Sequence, residues 1–171
     1  MLRALALSLL LASGAVAQDA GVLEPAAPDA DRTLVWGGVG VGPATQGLGA
    51  GYHVTAMRGP HALSVRLLGA VEVPPCSFLC GESESVADLG VLYGREVFAS
   101  DAVLVLASGG LAYVETTGVE GALQRTVGVP VEFRAMVRGP YAALHATAFA
   151  NANGERPFGG VVFGLSVGRT R

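Results

Sequence analysis

Lysine is missing from this 171-residue chain: all 11 of its fixed cations are arginine, set against 14 carboxylates. The arginines are scattered. No basic patch exists of the kind that neutralises phosphates along a nucleic-acid backbone, so nucleic acid is excluded as a partner. Charge of either sign is scarce. Charged residues make up 15% of the chain, where ordinary soluble domains carry about 25%, and a fully water-facing surface is hard to build from so few. Aromatic residues reach only 6%, with Trp36 the sole tryptophan, which leaves little material for aromatic girdles at a membrane surface. Two cysteines, Cys76 and Cys80, without a histidine or a further cysteine make a poor zinc site. His53 and His61 show no metal-ligand spacing with each other, with His145 or with the cysteines, and no cofactor is implied.

Long apolar runs are also lacking beyond residue 17. Hydrophobic residues supply 51% of the chain. Yet every later run is cut by glycine or a polar residue within about ten positions, short of the ~20 that a spanning helix needs. A hydrophobic chain without such helices can still cross a bilayer as a closed barrel, where every backbone group is paired.

The N-terminus has a different composition. Arg3 precedes the apolar run "ALALSLLLASGAVA", and small residues stand before Gln18. Residues 1–17 therefore read as a secretory signal peptide. The mature chain then has 10 arginines against 14 acids, a formal charge of about −4. Residues 18–32, "QDAGVLEPAAPDADR", are rich in Ala, Pro and acids without periodicity and read as a flexible leader.

What is present from residue 33 onward is alternation with period two. In 126–138, "TVGVPVEFRAMVR", Val127, Val129, Val131, Phe133, Ala135 and Val137 share one face. Small and charged residues hold the other. Stretch 62–73 sets Leu63, Val65, Leu67, Val71 and Val73 against Arg66 and Glu72. Stretch 86–98 sets Leu89, Val91, Tyr93 and Val97 against Asp88 and Glu96. Segments 33–41, 48–57, 141–150 and 158–168 alternate more weakly, and 102–114 is apolar on both faces, which leaves its register open. These are eight strands, and the fold class is all-β: an eight-stranded antiparallel up-and-down barrel over 33–171, with strands long enough to span a membrane.

The connections divide into two sets. "RGPH" at 58–61, "ASD" at 99–101 and "RGPY" at 138–141 are tight, with Gly59, Pro60, Gly139 and Pro140 as turn residues. The others, 42–47, 74–85, 115–124 and 151–157, read as longer loops. Short turns at one end and longer loops at the other are the outer-membrane pattern. On these features the chain resembles small outer-membrane barrels of the outer-membrane protein A type. The resemblance implies outer-membrane lipid as surroundings and an extracellular partner that would meet loops 74–85 and 115–124. The oligomeric state is open.

The strand faces carry the candidate site. Arg66, Glu72, Asp88, Glu96, Glu132, Arg134 and His145 point into the lumen as a polar network. Buried charges need partners, so an ion-pair plug is expected. A gated ion path is the alternative, disfavoured because eight strands enclose only enough room for side chains. Small outer-membrane lipid A deacylases resemble such a barrel and use His, Ser and Glu. Here His145 is followed by Thr147 in "LHATAFAN", with Glu155 in the next loop. A soluble periplasmic barrel carrying lipid is the third reading, and it requires the apolar face to point inward. Cys76 and Cys80, four apart in an exported loop, are expected to form a small disulfide. The glycine run "GGVGVGPATQGLGAG" at 37–51 is no nucleotide loop, since no helix opens after it.

Overall fold

The computed structural model describes residues 33–72, 84–118 and 121–169. The expected signal peptide, leader and cysteine pair lie outside the described residues. Eight strands follow one another: β1 (Thr33–Ala44), β2 (Gly47–Arg58), β3 (His61–Val71), β4 (Ser85–Ala99), β5 (Val103–Thr117), β6 (Leu123–Arg138), β7 (Ala142–Asn153) and β8 (Phe158–Arg169). Each pairs antiparallel with the next, and β1 pairs with β8, so the sheet is a closed barrel. Closure leaves no strand edge.

Alternation places the large apolar residues outside. Val54, Leu63, Val91, Leu111, Val127, Leu144 and Val167 are all more than half exposed, and every strand contributes to this belt. The lumen is filled in three layers. At the short-turn end Leu34, Trp36, Met57, Leu104, Leu106 and Met136 pack together. At the long-loop end Leu68, Val86, Val114, Phe149, Phe158 and Val162 form a second cluster. Between them lies a polar layer, described below. Strand β5, apolar on both faces, takes its register from these clusters: Leu104, Leu106, Ala112 and Val114 point in, and Val105, Leu111 and Tyr113 point out.

Several connections differ from expectation. The β1–β2 connection is as tight as any: Ala44 pairs with Gly47, so only Thr45 and Gln46 are loop, and Gly47 takes a φ of 116°. Segment 115–124 is strand at both ends, with β5 running to Thr117 and β6 starting at Leu123; Glu115 pairs with Arg125 across the hairpin and their side chains meet at 3.0 Å. The β7–β8 loop shrinks to 154–157, since β7 runs past Asn151 to Asn153. Val97 is the extra residue of a bulge between Glu96 and Phe98, which turns Ala99 inward. Pro130 sits at no bulge. Its register with β7 is unbroken, and against β5 the ladder only lapses between Gly109–Val131 and Ala112–Gly128, as a residue without an N–H requires.

Both Arg-Gly-Pro stretches close hairpins at the short-turn end. In the first, Arg58 pairs with His61, Gly59 and Pro60 are the loop, and Gly59 has a φ of 54°. Proline holds the second loop position at negative φ, so the turn is of the II′ kind, with glycine first. In the second, Arg138 pairs with Ala143 and the Gly139 N–H donates to Ala142 O at 2.7 Å. The loop is then Pro140 and Tyr141, and Gly139 has no positive φ.

Candidate functional site

Strands bring inward residues from opposite walls to one level of the lumen. Arg66 on β3 grips Asp88 on β4 in a two-point contact, Nη2 to Oδ2 at 2.6 Å and Nε to Oδ1 at 3.3 Å. Its Nη1 reaches across to Glu132 Oε2 on β6 at 3.2 Å. Glu132 Oε1 accepts from Arg134 Nη2 at 2.5 Å. These two are neighbours on one face because side chains repeat every second residue. Arg134 also donates to Thr147 Oγ1 and Thr55 Oγ1, each at 3.2 Å, and Thr55 shares a bond with Ser64 at 2.8 Å. Asn151 donates to Asp88 Oδ2 at 2.7 Å, and Arg66 lies over the Phe149 ring at 5.9 Å. All four ions are buried. Their signs alternate, Asp88–Arg66–Glu132–Arg134, so the layer is neutral and each charge has a partner, as burial demands.

Beside this chain of ions stand two imidazoles. His145 Nδ1 and Ser166 Oγ are 2.9 Å apart, and Ser166 lies 3.5 Å from His53 Nε2. The two rings meet edge to face, 5.1 Å between centroids. Glycines of β1 make the room: a Cβ on Gly38 would stand 2.5 Å from Ser166 Oγ and collide with His53 Cε1, and one on Gly40 would stand 3.2 Å from His145 Nε2. The glycine run thus clears a wall for the histidines. A cavity of about 20 Å³ remains among His53, His145, Arg66, Glu132, Arg134 and Thr147, room for a single water.

Of the sequence-predicted lumen residues, Arg66, Asp88, Glu132, Arg134 and His145 come together in this layer. Glu96 points inward on β4 but is half-buried and stands eight residues along the strand from Asp88, at the short-turn end. Glu72 is a correction: β3 ends at Val71, and Glu72 is exposed beyond it, its N–H donating to Glu84 O at 3.0 Å. Asn151 is an addition, because the sequence pattern puts it in a loop. Ser166, Thr55, Ser64 and His53 lie on the inward faces, and their parity alone could have flagged them.

Ser166 and His145 are a hydroxyl and a base within hydrogen-bond reach, the elements of a nucleophile pair. They are enclosed, 0% and 5% exposed, with an apolar layer above and below. Glu155 is not part of the arrangement; its N–H is held by Asn153 Oδ1 in the β7–β8 loop. Among the described residues no group of three or more His, Cys, Asp or Glu could hold a metal ion.

Similarity to known proteins lies in shape. No protein-family model matches the chain, and no curated protein does. Neisserial surface protein A superposes with a TM-score of 0.60 at 12% identity, over 79% of this chain and 96% of that one. The N-terminal β-barrel domain of Pseudomonas aeruginosa OprF gives 0.59 at 10% identity, over 81% and 98%. This chain has the fold of the eight-stranded outer-membrane barrels. Ail, the attachment invasion locus protein of Yersinia pestis, matches at 0.53 and 8% identity, over 79% and 96%. At these identities the likeness is one of fold.

Proposed function

We propose that this chain is an outer-membrane barrel, sealed along its axis, with a structural or surface-interaction role carried by its long-loop end. One observation carries the reading: the sheet is inside out relative to a soluble barrel. Its belt of exposed Val, Leu and Phe surrounds a lumen that buries three arginines, two carboxylates and two histidines. In water that belt would be a very large exposed apolar patch; in lipid it is the required surface. A lipid-carrying soluble barrel needs the opposite orientation and an empty interior, and this interior is filled. The two apolar layers argue against conduction. The enclosed Ser166–His145 pair has no route to a substrate, so the reading assigns no catalysis. The two other outer-membrane barrels of the same fold whose names or descriptions refer to the surface or to attachment favour an outward-facing role.

Fractionation of expressing cells tests this, with gel mobility measured before and after boiling. Recovery in the outer membrane with a heat-dependent shift is the expected result. Soluble recovery without a shift would overturn it. Conductance steps from the purified barrel in a planar bilayer would overturn the sealed lumen.

A further inference from the structure

Charge in the described residues sorts by height. At the long-loop end Glu72, Glu84, Glu115 and Glu155 outnumber Arg125 and Arg156, and both arginines are taken up in ion pairs there. The lumen layer is neutral. At the short-turn end Arg58, Arg95, Arg138 and Arg169 outnumber Glu96 and Asp101. Three basic groups at this end form a row on the outer face. Arg58 pairs in register with His61, and His61 with Arg95, across β2, β3 and β4. All three are exposed. Neighbouring strands are about 4.8 Å apart, which puts the backbones of Arg58 and Arg95 roughly 10 Å from each other. Among the described residues no carboxylate pairs with Arg58 or Arg95, unlike the arginines of the other two levels. Tyr93 completes the row: its hydroxyl and His61 Nδ1 are 2.6 Å apart and the rings stack at 6.0 Å, which holds the imidazole against the Tyr93 ring. A groove of about 240 Å³ lies alongside, running from Arg58 and His61 past Ala56, Leu63 and Tyr93, so the charged row opens onto apolar surface.

We infer that Arg58, His61, Tyr93 and Arg95 form a binding site for the head group of an anionic glycerophospholipid of the leaflet that faces the short turns. The phosphate chemistry follows from the guanidinium fork, which matches phosphate oxygens. The lipid follows from the groove, which offers an acyl chain a path down the belt from the charges. The site rests on the membrane reading above, and the two can fail separately.

The full chain is refolded into phosphatidylcholine vesicles, and insertion is read from the heat-dependent gel shift. Association of spin-labelled phosphatidylglycerol and spin-labelled phosphatidylcholine with the barrel is then compared. The expected preference for phosphatidylglycerol is at least about fivefold, the factor that one arginine near an anionic lipid surface is worth. It falls to near one in the Arg58→Gln/Arg95→Gln variant, which still inserts, and is unchanged in Arg125→Gln/Arg156→Gln. Equal association of both lipids with the inserted wild-type barrel would overturn the site. So would a preference that survives the first variant or is lost equally in the second. A chain that inserts into no vesicle would sink the membrane reading, and the site with it.

Discussion

Arg58-Gly59-Pro60 and Arg138-Gly139-Pro140 lie at the same end of the barrel, four strands apart, and do different work. In the first hairpin the loop is Gly59-Pro60; in the second it has moved one residue on, to Pro140-Tyr141. Arg58 faces outward and is exposed, while Arg138 faces inward and is buried, donating to Ser100 O. A strand shows alternate residues to opposite faces, so the parity of the flanking strand decides where a turn arginine goes. The same three residues thus place one cation on the outer rim and another in the lumen wall. The comparison teaches that, in this barrel, the meaning of a residue type is its face.

The contrast breaks most sharply at arginines on opposite faces. Arg134→Ala leaves Glu132 with one cation instead of two and frees two threonine hydroxyls, at a cost of about 3–5 kcal/mol. Arg58→Ala, exposed and without an ion-pair partner, is expected to stay within about 0.5 kcal/mol. Urea unfolding from vesicles, followed through the buried Trp36, checks both; similar midpoints for the two variants would contradict the assigned faces.

Adjacent glycines offer a narrower test. Gly38→Ala drives a methyl group into His53 and Ser166 and is expected to cost about 1–3 kcal/mol. Gly37→Ala points outward and meets nothing closer than 3.4 Å, so its unfolding midpoint should barely move. In a double-mutant cycle His53→Ala should recover part of the Gly38→Ala loss.

The turns themselves come next. Gly59→Ala places a side chain at a φ of 54°, worth about 1–2 kcal/mol. Gly139→Ala is hindered for another reason, a Cβ 2.8 Å from Ala142 O. Replacing residue 59 with D-alanine by chemical ligation relieves the strain there, whereas only a shift of the Ala142 carbonyl relieves residue 139. The smallest loss of an ion pair belongs to the exposed Glu115–Arg125 contact, where Arg125→Ala should cost about 0.2–1 kcal/mol and fade in high salt.

Much of the lumen is legible in the amino-acid pattern, and the reason is local. In 126–138 the pleat alone puts Glu132 and Arg134 on one side and Val131 and Phe133 on the other, whatever the rest of the chain does. The pattern misplaces Asn151 and Glu72 because strand ends depend on cross-strand partners: Asn151 is held in β7 by Pro130 and Phe158, and Glu72 falls beyond the last pair of β3. The 115–124 segment reads as loop by composition, yet its two ends are strand because Glu115, Thr116 and Thr117 pair in register with Arg125, Gln124 and Leu123.

By itself the sequence determined the period, the two faces and the number of strands, because these follow from the geometry of each extended segment. Only the tertiary structure decided which arginine meets which acid, since Arg66 and Glu132 are 66 residues apart and share a level only once β1 has closed on β8. It alone also set the turn registers, which a shift of one residue reverses, and it aligned Arg58, His61 and Arg95, three residues from three strands, into one row.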